Sequence, residues 1–223
     1  MTPAAGPAAR AERAGRAGRD GGPVTAAEVL DVAGRILERH GADALTMRRL
    51  SDELGVAVTS VYWHVGGRDA VLDGLVDRLL ADMEVLPEVP PGEPLERVAA
   101  LARALREALL ARPHIVGVAH ERDRTPAIFL PVQRAMATEL ARLGLHGAEA
   151  ALVLRALAVH VISSVLMAWA AVRNASHGTV DPELWPDDWA DQELVRALAA
   201  PVDYDAVFEM GLAALLARLE PTA

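Results

Sequence analysis

Residues 45–75, LTMRRLSDELGVAVTSVYWHVGGRDAVLDGL, constrain the fold of this chain more than any other stretch. Met47, Leu50 and Leu54 recur at helical spacing and predict a short helix with one buried face. Gly55 ends it, because a residue without a Cβ adopts the left-handed turn that closes a helix. Val56 then re-enters the core. In a second short helix Val61 and Val65 turn inward, while Val58, Thr59, Ser60, Tyr62 and His64 are free to point outward. Two short helices hinged at a glycine let the second lie in a DNA major groove, which is about 12 Å wide. The segment therefore predicts DNA binding.

Its flanks extend the same pattern. Thr25 and Glu28 form a capping-box spacing ahead of a helix whose core face is Val29, Val32, Ile36 and Leu37, and Gly41 ends it. Thr46 is placed to cap the next helix. After the glycines, a helix from Arg68 to about Met83 carries Val71, Leu72, Leu75, Leu79 and Leu80 as its buried stripe. Pro87, Pro90, Pro91, Gly92 and Pro94 then break the chain. Beyond them, helical periodicity runs over 95–111, 113–121, 126–143, 147–173 and 203–219, with a less regular piece over 178–200. Nothing alternates with period two, so no sheet is expected. The reading is all-α, divided into a basic arm over 1–23, a three-helix helix-turn-helix DNA-binding domain over 24–86, a linker over 87–94 and a second helical domain over 95–221.

The net charge of −9 looks wrong for a nucleic-acid partner until it is divided. Residues 1–80 hold 10 Arg against 11 acids, whereas residues 81–223 hold 12 Arg against 20. The acidity belongs to the second part, and attraction to phosphate depends on the local face rather than the total. Within residues 1–23, Arg10, Arg13, Arg16 and Arg19 read either as a solvated tail or as an arm along phosphates or a minor groove. The absence of cysteine excludes disulfides and thiolate metal sites and fits a cytoplasmic location. The apolar stretch 150–172 contains Arg155 and His160, so it reads as a buried helix rather than a membrane span.

The order L-T-x-R-x-L-x-x-x-L-G-V from Leu45, then V-Y-W-H-V from Val61, then R-D-A-V-L from Arg68, resembles the tetracycline-repressor (TetR) family of transcription regulators. The resemblance is close over 24–80 and a matter of helix order and length over 95–219. It implies a repressor that binds a palindromic operator in double-stranded DNA as a homodimer and leaves it on binding a small-molecule effector. Thr46 and Arg48 match positions that touch phosphate or bases, with a surface pair between Arg48 and Asp52 as the other reading of Arg48. Tyr62 and His64 match backbone grips, and Arg68 a phosphate contact. Val58 suits a thymine methyl, and Thr59 and Ser60 suit base edges or phosphates. Trp63 faces away from Tyr62 and is expected in the core, wedged against the first helix. The family usually has a capping Ser where this chain has Ala57, which costs about 1 kcal/mol at that helix start.

In the second domain the resemblance implies dimerisation through 147–173 and 203–219, with Val153, Leu157, Val161 and Leu166 on one helix and Val207, Met210, Leu215 and Leu219 on the other. It also implies an effector pocket, for which Leu101, Leu105, His120, Met136, His160, Ser164, Met167 and Trp169 are the candidates, with His114 nearby. Met136 and Met167 read equally well as core, and His160 as a satisfied core histidine. Trp185 and Trp189 form either a lid over the pocket or a staple of their own loop. The family member that binds tetracycline with magnesium uses an amide, an aromatic ring, a histidine and an acid. The corresponding positions here are Leu101, Leu105, the neighbourhood of His120 and Ala168. That set lacks the oxygen ligands magnesium needs, so an apolar effector without cofactor or metal is expected. The alternative is a ligand-independent architectural DNA binder. An enzyme fits poorly, since His120, Glu121, Asp123, Asp187 and Asp188 come with no nucleophile–base pairing, phosphate loop or metal spacing.

Overall fold

A computed structural model describes residues 24–83, 91–174, 178–186 and 189–219. The basic arm, most of the proline break and the Asp187-Asp188 pair lie outside the described residues. Among those described there are ten α-helices, two short 3₁₀ turns and no strand.

Helix α1 (Ala26–His40) starts as its sequence dictates. The Thr25 hydroxyl accepts the Glu28 N–H at 3.2 Å, and the Glu28 carboxylate accepts the Thr25 N–H at 2.8 Å. A 3₁₀ turn, Ala42–Ala44, leads to α2 (Met47–Leu54), where Thr46 Oγ1 accepts the Arg49 N–H at 3.1 Å. Gly55 sits at φ 70°, and the Val56 N–H returns to the Ser51 carbonyl at 3.1 Å, which turns the chain directly into α3 (Val58–Val65). Ala57 gives α3 no side-chain cap. Helix α4 (Arg68–Met83) buries Val71, Leu72, Leu75, Val76, Leu79 and Met83, while Leu80 is only half-buried. The apolar faces of α1 to α4 meet and form the head of the molecule, its core continuous with that of the body.

The body is built from α5 (Pro94–Leu110), α6 (Pro113–Glu121), α7 (Thr125–Arg142), α8 (Gly147–Arg173), α9 (Gln192–Ala199) and α10 (Tyr204–Ala217). Helix α5 packs on α7 and α8, and α10 lies along α8. Helix α9 belongs to the stretch expected to be irregular. The Asp191 carboxylate starts it by accepting the Leu194 N–H at 2.9 Å. Just before it, the Trp185 and Trp189 rings meet edge to face with centroids 5.0 Å apart, so each ring packs on the other within its own loop.

Helix α8 is buried within its own chain on one side only. Among the described residues it is the one helix long and apolar enough to cross a membrane, yet only one side of it is covered. Leu157, Val161, Ile162 and Val165 face the core of their own chain, whereas Leu152 and Val159 are 68% and 63% exposed. On α10, Phe208 and Leu212 are buried and Met210 is 70% exposed. A single chain has material to cover one face of this pair and not the other.

Candidate functional site

The outward face of the head is assembled on α3 and the start of α2. In the eight-residue α3, Val61 is the buried anchor. Val58, Thr59 and Tyr62 are exposed, and Ser60 and His64 are half-buried. Thr46 is exposed, with its oxygen occupied as the α2 cap and its O–H free to donate. Arg48 is exposed and makes no ion pair among the described residues. The i,i+4 pair of this helix is instead Arg49 with Glu53, at 3.2 Å. The expectation for Trp63 is overturned: it is 82% exposed, touching only the edge of His64, with ring centroids 4.9 Å apart. The reason is angular, since two residues beyond Val61 in a helix lies about 200° around the axis. Tyr62 and Trp63 thus form an exposed aromatic pair on the reading helix.

Arg68 is used differently from a free phosphate contact. Its Nε and Nη2 donate to the carbonyls of Leu45 and Ala42 at 2.9 and 2.8 Å, half-buried. The guanidinium thereby ties the start of α4 to the turn ahead of α2 and fixes the two helices that carry Thr46 and Arg48.

A row of ion pairs couples the head to the body. Asp69, Asp73 and Asp77 recur every four residues along one face of α4. Arg122, at the end of α6, holds Asp73 at 2.8 Å and Asp69 at 3.2 Å, and Arg124 holds Asp77 at 2.7 Å. Asp82 pairs with Arg112 between α5 and α6. The Arg122 guanidinium, helped by Arg124, holds the Asp73 carboxyl below its usual value against the upward push of desolvation. Each such surface pair is worth about 0–1 kcal/mol, but as a set they align α4 with the α6–α7 turn.

The candidates for an effector pocket are scattered. Leu101, Leu105 and Met136 are buried in the body core, at the contact of α5 with α7 and α8. His120 is exposed, 3.3 Å from the Thr125 hydroxyl, because it sits one residue before the end of α6. His160 bonds the Phe208 carbonyl at 2.9 Å and stacks on the Phe208 ring. Ser164 accepts from Arg106 Nε at 3.1 Å and donates to the Val161 carbonyl at 2.8 Å. Met167 is 43% exposed on α8. Of the eight, Trp169 lines described cavities, and these lie at the junction of head and body rather than inside the body. Sequence reasoning missed Arg106, which is 8% exposed, lies 4.6 Å over the Phe208 ring and pairs with Asp205 at 2.7 Å.

Residues 29–75 match the model of the bacterial regulatory proteins of the tetR family, and residues 86–222 match that of the tetracyclin repressor-like C-terminal domain. The chain belongs to the TetR family. It is 30% identical over 196 residues to the class A tetracycline repressor protein from transposon 1721 of Escherichia coli, covering 84% of this chain and 87% of that one. It is also 30% identical over 142 residues to an HTH-type transcriptional regulator of Saccharopolyspora erythraea, a match spanning 64% of this chain and 60% of that protein. Among solved structures, the TetR family protein ActR of Streptomyces coelicolor in complex with actinorhodin is 31% identical. It superposes with a TM-score of 0.64 over 89% of this chain and 97% of that one.

As a TetR-family member the chain is a DNA-binding transcriptional regulator. Among its described residues no three His, Asp or Glu side chains converge as a metal site. The residues at the magnesium–tetracycline positions do not fit that group either: Leu101, Leu105 and Ala168 offer no side-chain oxygen, and His120 is turned to Thr125.

Proposed function

We propose that this chain is a cytoplasmic homodimeric repressor that holds a palindromic operator and leaves it when a small, largely apolar effector binds the body. The observation that carries the reading is the outward face of α3, an exposed Val58-Thr59…Tyr62-Trp63 surface on a helix anchored by Val61 and, partly buried, Val65. In this account Thr59, Ser60 and Val58 approach base edges. Thr46, Arg48, Tyr62, Trp63 and His64 grip the backbone, and Arg68 positions them through the Leu45 and Ala42 carbonyls. Dimerisation uses the uncovered faces of α8 and α10, with Leu152, Val159, Val207 and Met210 at the contact in place of the self-buried Leu157 and Val161. The relatives are named as transcriptional regulators, and no catalytic role is proposed.

The complex of ActR with actinorhodin supports a small-molecule effector for this chain, which we place in the body. We assign that role here to the region around Leu101, Leu105 and Met136, with His160, Ser164 and Met167 on α8. Helix α4 runs from Arg68 to Met83 and is tied to the α6–α7 turn by Arg122 and Arg124, so movement of that turn carries the head with it. Tenfold release requires the effector to bind the released form about 1.4 kcal/mol more tightly than the DNA-bound form. The test is a gel-shift titration with the intergenic DNA beside the chain's own gene, with and without the small molecules that the neighbouring genes make or export. Leu105→Trp should remove the effector dependence; equal release in that variant would displace the effector from this region.

A further inference from the structure

Two adjoining cavities lie where the head meets the body. One, of about 320 Å³, has Leu110, His114, Trp169 and Val172 among its walls and Glu38 of α1 at its rim. The other, of about 490 Å³, opens between α1, α4 and the start of α6, and meets the first at Glu38, Ala111 and His114. His114 therefore stands between them. It is 9% exposed and makes no hydrogen bond or ion pair with any described residue. No sealed side-chain nitrogen or oxygen lacks a partner, so the ring nitrogens of His114 open onto this space. Enclosed by the walls of both cavities yet with accessible ring nitrogens, His114 keeps its hydrogen-bonding capacity for a molecule that enters there.

The surroundings indicate what that partner is. Burial holds His114 below the ordinary imidazole value, with Arg112 adding to the effect and Glu38 opposing it, so the ring is neutral near pH 7 and offers one donor and one acceptor. Glu38 is exposed, makes no hydrogen bond or salt bridge with a described residue and, as a carboxylate, is able only to accept. Trp169 supplies a flat wall that is held in place. A Cβ on Gly117 of α6 would lie 3.1 Å from its ring, and Arg173 sits 5.2 Å over that ring. Leu110 and Val172 complete an apolar surround.

We infer that this junction is a second small-molecule site, separate from the body core, that takes a planar aromatic ring bearing a hydroxyl or amino donor. The ring packs on Trp169, its donor reaches the Glu38 carboxylate, and the donor's own heteroatom accepts from the His114 ring N–H. A molecule seated there touches α1 of the head and α6 and α8 of the body together, so its binding favours one spacing of the two and shifts operator affinity.

Full-length protein titrated with 1-naphthol, and with naphthalene as the control that lacks a donor, tests this. Imidazole and methyl NMR signals serve as reporters. The expected result is that 1-naphthol moves the His114 signals and leaves the Met136 methyl in place, while naphthalene binds about 10-fold more weakly. His114→Leu should remove the discrimination between the two. Glu38→Gln, at an exposed position that cannot unfold the chain, should weaken 1-naphthol about 3-fold or more. No binding to wild type, or equal binding by wild type and Glu38→Gln, would overturn the junction site. A shift confined to Met136 would do the same while leaving the repressor reading intact.

Discussion

In the head, α1 to α4 bury Val29, Ile36, Leu50, Val61 and Leu75 within one chain, and what remains outside on α3 is Thr59, Tyr62 and Trp63. In the body, α8 and α10 bury Leu157, Val161, Phe208 and Leu212 on one side and leave Leu152, Val159, Val207 and Met210 on the other. The exposed apolar groups differ in kind. Those of the head are mainly aromatic, Tyr62 and Trp63 beside Val58, sit on a helix of eight residues and are mixed with hydroxyls and an imidazole. Those of the body are aliphatic and follow a helix of 27 residues, about 40 Å long, with the neighbouring α10 continuing the surface. A short face with polar handles suits the edges and backbone of DNA, whereas a long aliphatic face suits a second copy of itself. The head leaves a short mixed face uncovered, whereas the body leaves a long aliphatic one.

That contrast breaks first if the body can be left uncovered without consequence. Leu152→Glu with Met210→Glu places charges where the account puts a dry contact, at a cost of about 3 kcal/mol or more. Sedimentation should show monomers, and operator affinity should fall by more than about 100-fold. The head is sharpened next. Tyr62→Ala and Trp63→Ala should each leave the unfolding temperature unchanged, because both rings are already exposed. A loss of about 1 kcal/mol per site doubles in a dimer, so gel shifts should show weakening by about 30-fold on all operator sequences alike.

A smaller effect tests the joint between the two regions. Arg122→Ala releases Asp69 and Asp73 and should lower stability by about 1 kcal/mol or less in chemical unfolding. The effector concentration needed for release should shift more than the operator affinity does. The smallest effect is confined to acid. Glu139, which Arg97 and then Arg142 hold below the usual carboxylate value against desolvation, gives stability that is complete above about pH 4.5 and lost as pH falls through its lower folded value. The advantage of wild type over Glu139→Gln in thermal unfolding should therefore shrink as pH falls through that range.

What was legible in the sequence was local. Thr25 with Glu28, Thr46, Gly41 and Gly55 set helix ends through partners two to four residues away, and the structure has them there. The wrong placement of Trp63 came from reading a large apolar residue as core, when Val61 had already fixed which side of α3 faces inward. The intrachain partners of Arg68, the Leu45 and Ala42 carbonyls, lie 23 and 26 residues upstream, beyond any local pattern. The partners of the α4 acids are as distant, since Arg122 and Arg124 come some 50 residues later. The division of α8 into a self-buried and an uncovered side depends on where α5 and α10 pack, and its apolar composition is nearly uniform around the helix.

The central claim is that two copies of this chain hold one operator through the outward faces of their α3 helices. Its most direct test is the mass, by analytical ultracentrifugation, of the complex between the full chain and a duplex carrying the palindrome beside its own gene. The account predicts chains bound in pairs, on half-sites about 34–36 Å apart or a multiple of that, with the Leu152→Glu, Met210→Glu form failing to assemble. A complex containing a single chain per palindrome, at full affinity, would contradict it.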